Sequence, residues 1–182
     1  MSQFSPEGDK QTLAHYFTDV SKNVYPVGRL DYDSEGFLLL TDDKALTHRL
    51  LDPSFAHKRT YFVQVEGDIT QQAIKKLCSG VEISIDGKKY MTKKAEAEIL
   101  PYEPELPERN PPIRFRQNIP TSWIALTLTE GKNRQVRRMT AAVGFPTLRL
   151  VRYAIGRINI EGMKSGEYKL LDEAIKNRLF IK

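Results

Sequence analysis

Hydrophobic and polar positions recur along the chain with two periods, and together they predict a series of short strands and helices. Thr60 to Glu66 sets Tyr61, Val63 and Val65 against Phe62, Gln64 and Glu66, the period-two pattern of a strand. Trp123 to Thr129 alternates in the same way. Thr147 to Ile155 places Leu148, Leu150 and Arg152 on one face and Arg149, Val151 and Tyr153 on the other. Val24 to Val27, Ala95 to Leu100 and Ile158 to Ile160 read as shorter extended pieces, and the apolar run Phe37 to Leu40 reads as a buried strand. Val81 to Ile85 and Lys88 to Met91 flank Asp86-Gly87, the turn pair of a hairpin.

The helical period appears in five places. Gln11 to Phe17 carries Leu13, Tyr16 and Phe17 on one side. Thr41-Asp42-Asp43 opens a helix that reaches Leu51, buries Leu46, Leu50 and Leu51, and stops before Pro53. Gln71 to Cys78 presents Ala73, Ile74 and Leu77 and ends at Gly80. Asn133 is placed to cap a helix that reaches Val143, with Gly144 and Pro146 beyond. Asp172 to Phe180 reads as a closing helix. Six prolines between Pro101 and Pro120 exclude a regular ladder there and predict a long loop. Strands interleaved with helices and hairpins predict an α+β fold with a mixed, largely antiparallel sheet flanked by helices.

Composition narrows the function classes. Among 182 residues, 40% are hydrophobic, enough for a core, and no apolar run approaches the roughly 20 residues of a membrane span. The first residues lack the basic-then-apolar order of a signal segment, so a cytoplasmic location is expected. The lone Cys78 precludes an internal disulfide, and His15, His48 and His57 have no ligand spacing with it, so no metal site is expected. Charge is unevenly spread: residues 1–108 hold 13 Lys and Arg against 18 Asp and Glu, whereas residues 109–182 hold 15 against 5. Ten of those last 15 are arginine, the better residue for bidentate phosphate contact, which favours a polyanionic partner for the C-terminal part. A merely solvated basic face has the same composition.

The candidate chemistry lies in Val27 to Thr41, where a glycine-punctuated loop with three acidic residues precedes the apolar run. Asp31 follows Arg29-Leu30, so the Arg29 and Asp31 side chains point the same way if this piece is extended. Asp31, Asp33, Glu35 and Gly36 fall at positions 1, 3, 5 and 6 of a calcium-binding loop, but Asp42 stands where a bidentate Glu is required. Pro26 and Gly28 also remove the entering helix, which argues against calcium. Read on local features alone, the stretch is equally a polar turn feeding a core strand.

Three ordered blocks resemble the RsuA-type ribosomal RNA pseudouridine synthases: Gly28-Arg29-Leu30-Asp31 with Gly36 to Thr41, Lys58 to Val65, and Glu130 to Met139. Asn110 to Arg114 and Ile119 to Trp123 resemble the branch of that family acting on the large subunit. The resemblance implies a central sheet in two halves around a cleft within a single catalytic domain, and a reaction needing no cofactor and no metal. It implies that Asp31 is the catalytic carboxylate, acting as a nucleophile at C1′ or as a base at the 2′ position. Its ionised form requires a nearby cation, and Arg137 matches the family arginine that pairs with it. Tyr61 matches the tyrosine that packs on the flipped base, and Arg29 the arginine that fills the gap the base leaves. Lys58, Lys132, Arg134 and Arg138 are the candidate RNA phosphate contacts.

Each role has a plainer counterpart. Arg137 could be one more phosphate contact, Tyr61 ordinary core, and Arg29 a partner of Asp33 or Glu35. Two other functions fit parts of the pattern: a non-catalytic ribosomal RNA-binding protein, which needs the basic part without Asp31, and a glycoside or nucleoside hydrolase using Glu35 or Asp33 as its acid. The expected partner is ribosomal RNA of the large subunit, with no membrane, and the expected state a monomer. Many family members carry a small S4-type RNA-binding domain, and no stretch of this chain matches one. In the family a strand with a Lys-Pro pair precedes the segment matching Met1 to Phe4. The chain is therefore expected to start within that first element, with residues 1–5 extended beside the sheet.

Overall fold

The fold is described from a computed structural model covering residues 1–17, 19–113, 116 and 118–180. Arg114 of the large-subunit-like segment lies outside the described residues. The strands are β1 (Tyr25–Pro26), β2 (Glu35–Gly36), β3 (Leu40–Thr41), β4 (Arg59–Glu66), β5 (Glu82–Ile85), β6 (Lys88–Met91), β7 (Glu96–Leu100), β8 (Thr121–Leu128), β9 (Thr147–Ile155) and β10 (Ile158–Asn159). The helices are α1 (Lys44–Leu51), α2 (Gln71–Ser79), α3 (Gln135–Ala142) and α4 (Glu173–Asn177). The main sheet runs β10-β9-β4-β8-β7 with antiparallel neighbours, and β2 adds to β9 in parallel. The α+β class and the mixed, largely antiparallel sheet agree with the sequence pattern.

β4 is the centre of the sheet, paired along its length with β9 on one side and β8 on the other. Val63 and Val65 are fully buried, as are their β8 neighbours Ile124 and Leu126. α2 and α3 cover this face. α2 is capped by Thr70, whose side chain accepts from the Ala73 amide, and it buries Ala73, Ile74 and Leu77. Burying a side chain such as Leu77 stabilises the fold by about 1.5–3 kcal/mol. α3 adds Val136 and Met139 to the same core. The β5–β6 hairpin turns on Asp86 and Gly87, both at positive φ (49° and 78°), as a two-residue primed turn requires. A second core gathers Val27, Leu39, Leu50, Ile155 and Leu179, with Phe37 and Phe180 packed against it.

Several local expectations change. The run Phe37 to Leu40 is not one strand. Glu35–Gly36 pairs with Val151–Arg152, then the chain turns, and Leu40–Thr41 pairs with Tyr25–Pro26 instead. Gly36 sits at φ 106°, which lets the backbone change direction there. Gln11 to Phe17 forms only a single 3₁₀ turn, Leu13–His15. On α1, Leu50 is buried, but Leu51 is 44% exposed and faces a cleft. Asn133 does not cap α3: Arg134 occupies the cap position in a left-handed conformation, and the Asn133 side chain accepts from Arg138. Residues 1–5 form no strand beside the sheet, and residues 3–5 are bends. They reach the signature loop through Ser2, whose hydroxyl accepts from the Leu30 amide at 3.0 Å and donates to the Leu30 carbonyl at 3.3 Å.

Gly36 offers a direct test of this turn. A Cβ there would lie 2.4 Å from the Arg152 carbonyl oxygen and 2.7 Å from its amide nitrogen. Gly36→Ala is expected to destabilise the protein by more than about 2 kcal/mol in denaturant titration, from the clash and the positive φ together. A change below about 0.5 kcal/mol would contradict the β2–β9 pairing described above.

Candidate active site

The loop from Asp31 to Glu35 has almost no ladder of its own, and charge holds it in place. Tyr32 and Asp33 form a turn closed by the Ser34 amide, which donates to the Asp31 carbonyl at 3.0 Å, and Asp31, Asp33 and Glu35 each meet an arginine around it. Arg134 donates from both Nη atoms to the two oxygens of Asp33, each at 3.0 Å. Arg137 donates to the Asp33 carbonyl at 2.8 Å and lies 3.3 Å from its carboxylate. Glu35 is held in the same way on the other side, by Arg149 at 2.9 and 3.0 Å and by Arg109 at 3.0 Å. Arg149 also donates to the Pro107 carbonyl at 2.6 Å, which ties the proline-rich segment to this loop.

Asp31 itself projects into a cleft of about 400 Å³ between the loop, β4, β9 and the start of α3. That volume falls in the range of sites that enclose small organic groups. Tyr61, Arg59 and Arg152 line the strand side; Arg29, Lys132 and Arg134 line the mouth. The Asp31 side chain is one-third exposed, and its cation is Arg134 at 3.7 Å. The expected Arg137–Asp31 pair is therefore not formed. Arg137 is close enough to feel the charge of Asp31, but its side chain is turned to the Asp33 backbone, because the 31–35 loop curls over the first turn of α3.

The remaining expected residues divide. Tyr61 leaves β4 toward the cleft. Arg29 is exposed at the mouth, and among the described residues Asp33 and Glu35 pair with other arginines and not with it. Lys132 lies 5.0 Å above the Tyr90 ring. Lys58 turns away to Glu96 at 2.6 Å and does not line the cleft. Arg138 does not share an open face with Arg134: it donates to the Asn133 carbonyl and side chain and to the Ser84 carbonyl, pinning the β5–β6 hairpin to α3.

Some residues gain a part that the motifs did not reveal. Glu130 is buried and accepts from the Tyr90 hydroxyl at 2.5 Å, the Lys93 amide at 2.8 Å and the Gln135 side chain at 2.6 Å. It locks the hairpin to the N-terminal end of α3 and raises the pKa of Tyr90 through that hydrogen bond. Arg152 is 5% exposed at the cleft wall. Its signal in the sequence was an arginine on the Leu148–Leu150 face of β9.

Burial sets the proton affinities of the arginines against their partners. Asp33 is held below its ordinary value of 3.8, chiefly by the Arg134 hydrogen bonds and, against the effect of burial, by the charge of Arg137. Burial pulls Arg137 down, and Asp33 opposes it. A one-third-exposed carboxylate beside a fixed cation, facing a tyrosine across a cleft, can act as a nucleophile or base toward a group seated between them. No group of three or more potential metal ligands occurs among the described residues.

Known proteins share this architecture. Residues 4–142 match the family model described as RNA pseudouridylate synthase. Ribosomal large subunit pseudouridine synthase E of Vibrio parahaemolyticus is 49% identical over 169 residues, covering 93% of this chain and 68% of that protein. The protein of the same name from Xanthomonas campestris is 47% identical over 174 residues, covering 94% of this chain and 90% of its own. Ribosomal large subunit pseudouridine synthase B of Bacillus subtilis is 33% identical over 162 residues, covering 89% of this chain and 59% of its own. A crystal structure of a pseudouridylate synthase superposes with a TM-score of 0.77 at 29% identity, covering 94% of this chain and 66% of that one.

The Asp33 clamp has a pH signature. A carboxyl whose folded pKa is depressed adds stability above its unfolded value, and that stability is lost as pH falls through the folded value. The difference in melting temperature between the wild type and Asp33→Asn is therefore expected to be constant from about pH 7 to 5 and to narrow below about pH 4. A difference that persists unchanged to about pH 2.5 would show that Asp33 does not hold the loop through its charge.

Proposed function

This chain belongs to the RNA pseudouridylate synthase family, and on that footing we propose that it converts a uridine of large-subunit ribosomal RNA to pseudouridine, with Asp31 as the catalytic carboxylate. The observation that carries the reading is the meeting of Asp31 and Tyr61 across one cleft, although 30 positions separate them in the chain, with two strands, a helix and a 3₁₀ turn between. The relatives at 47–49% identity that are named for large-subunit ribosomal RNA support the substrate.

The reaction breaks the N1–C1′ bond, turns the base and joins C5 to C1′, so it needs neither an energy source nor an electron carrier. A base inside a helix is out of reach, so the nucleotide must first be extruded into the cleft. Tyr61 offers a flat face to that base, and stacking of this kind is worth about 1–3 kcal/mol, comparable with the cost of unstacking. Asp31 attacks C1′ or removes the 2′ proton. Arg134, fixed by Asp33, keeps a positive charge beside the Asp31 carboxylate throughout. Arg29 and Lys132 at the mouth, neither of them in an ion pair among the described residues, are offered to the RNA backbone, and Arg29 stands where it can enter the gap left by the extruded nucleotide. Arg137 acts behind the loop, holding the Asp33 backbone so that Asp31 stays aimed. In this reading the protein works as a monomer in the cytoplasm, in one catalytic domain. A purely RNA-binding role is the weaker reading, since it leaves the Asp31–Tyr61 pair without a task.

Asp31→Asn removes a charge with little change in volume. Pseudouridine formation on ribosomal RNA is expected to fall by at least about 10³-fold, the scale on which loss of a covalent or base catalyst acts. RNA affinity in a filter-binding assay should change by less than about threefold, since Asp31 is not a phosphate contact. Near-normal turnover of the purified variant would remove Asp31 from the chemistry and the proposed mechanism with it.

A further inference from the structure

The cations of the cleft are balanced unequally. On the helix side, Arg134 at the cleft and Arg137, which does not line it, are matched by Asp33, and Arg134 also by Asp31. On the strand side, Arg59 and Arg152 line the same cleft, and among the described residues neither has a carboxylate within 4.0 Å. Arg59 is tied to the Leu50 carbonyl at 2.6 Å. Arg152 donates from Nε to the Phe37 carbonyl at 2.7 Å, but its Nη2 is buried and, among the described residues, meets no hydrogen-bond acceptor. Tyr61 stands directly opposite Arg152 in the β4–β9 register, so the two side chains leave the sheet on one face. Burial lowers the proton affinity of Arg152, as does the charge of Arg59, while the Tyr61 hydroxyl, within hydrogen-bonding reach of the guanidinium, works in the opposite direction.

A buried guanidinium with an idle N–H and no counter-charge is destabilising by itself. Its position gives it a use. A base stacked on Tyr61 would bring carbonyl oxygens to the side of the cleft where that N–H is idle, and a charge in a dry site acts far more strongly than one in water. Arg134 and Arg137 are engaged by the acidic loop, although the Arg137 Nε is also buried without an acceptor among the described residues, and Lys132 is exposed; Arg152 is the buried arginine lining the cleft with an Nη to spare.

We propose that Arg152 is a further catalytic residue: Nη2 donates to a carbonyl oxygen of the uracil on Tyr61, and the guanidinium stabilises the uracil anion while the base is detached. The inference rests on the pseudouridine synthase reading of the cleft. In the step concerned, the N1–C1′ bond breaks and its electron pair stays on the base, whose negative charge is shared among N1, O2 and O4. C1′ is taken by an oxygen of Asp31, or C2′ gives its proton to Asp31 and a C1′–C2′ double bond forms. After the base turns, C5 forms the bond to C1′ and the Asp31 oxygen leaves, or the proton returns to C2′. The neutral product then loses its C5 proton and gains one on N1. Arg152 meets the one species in this sequence whose charge lies on the base.

The test varies the leaving base. Single-turnover rates would be measured on unmodified large-subunit ribosomal RNA transcripts made with uridine and with 5-fluorouridine. Loss of the N1-linked nucleoside would be read from nuclease digests. Fluorine withdraws electrons, so 5-fluorouracil is the more stable anion and needs less help. Arg152→Met is expected to slow the uridine transcript by about 100-fold, the usual effect of removing one such donor. It should slow the 5-fluorouridine transcript at least tenfold less, with RNA affinity nearly unchanged. Equal slowing of both transcripts would reduce Arg152 to its bond with Phe37 and overturn the inference, leaving the functional reading intact. If the wild type leaves the uridine transcript unaltered, the functional reading itself fails and takes this inference with it. Should Arg152→Met not fold, Arg152→Lys decides: it keeps the charge but loses the fork, and the same unequal slowing is expected at smaller size.

Discussion

The geometry of the site depends on one carboxylate, that of Asp33. The loop carrying Asp31 has two residues in a strand and no regular pairing before them, so its backbone alone would not fix a side chain. Asp33 takes both Nη atoms of Arg134 and the charge of Arg137, and thereby fastens the loop to α3, whose own position is set by Met139 and Val136 in the main core. Glu35 repeats the device toward β9 through Arg149. Bidentate arginine–carboxylate pairs are directional as well as attractive, which suits them to aiming a loop rather than merely retaining it. Asp31, between the Ser2 clamp on Leu30 and the Asp33 anchor, is the acidic residue of the loop that has no bidentate partner among the described residues. That is the condition in which a carboxylate can act.

Much of the fold was legible because strand and helix periods were clean where burial is one-sided. β4, β8, β9, α2 and the β5–β6 hairpin sit within a residue or two of their expected bounds. The failures share a cause. Phe37 to Leu40 is apolar throughout, so its composition could not show that the chain changes partner at Gly36, from β9 to β1. Leu51 is apolar and helical in spacing, yet it faces the cleft, because α1 packs against the small second core with only one edge. Asn133 is a good cap by type, but its neighbour Arg134 is drawn into the left-handed cap position while its side chain reaches Asp33, and no local rule anticipates a contact across a hundred residues.

At the site, the motif blocks led to residues that the structure brings near one another, and their pairings were not legible. The resemblance named Asp31, Tyr61 and Arg137, yet the cation nearest Asp31 is Arg134, and Arg137 serves the backbone of Asp33. Charge asymmetry pointed to a polyanion, and it overstated the surface available for one. Arg109, Arg116, Arg137, Arg138 and Arg149 all spend donors on carboxylates or carbonyls of this same chain. Among the described residues, what remains at the mouth outside any ion pair is Arg29 and Lys132, a smaller set than the composition suggested. Arginine in this protein is first an internal fastener.

The central claim is that this cleft isomerises a uridine of large-subunit ribosomal RNA. The most direct measurement maps pseudouridines, by carbodiimide-dependent primer extension, across the ribosomal RNA of a strain with the gene deleted, of its parent, and of the deleted strain carrying the gene again. The expected result is one large-subunit uridine that is pseudouridine in the parent, uridine in the deletion, and pseudouridine once more on complementation. An identical map in all three strains would contradict the account.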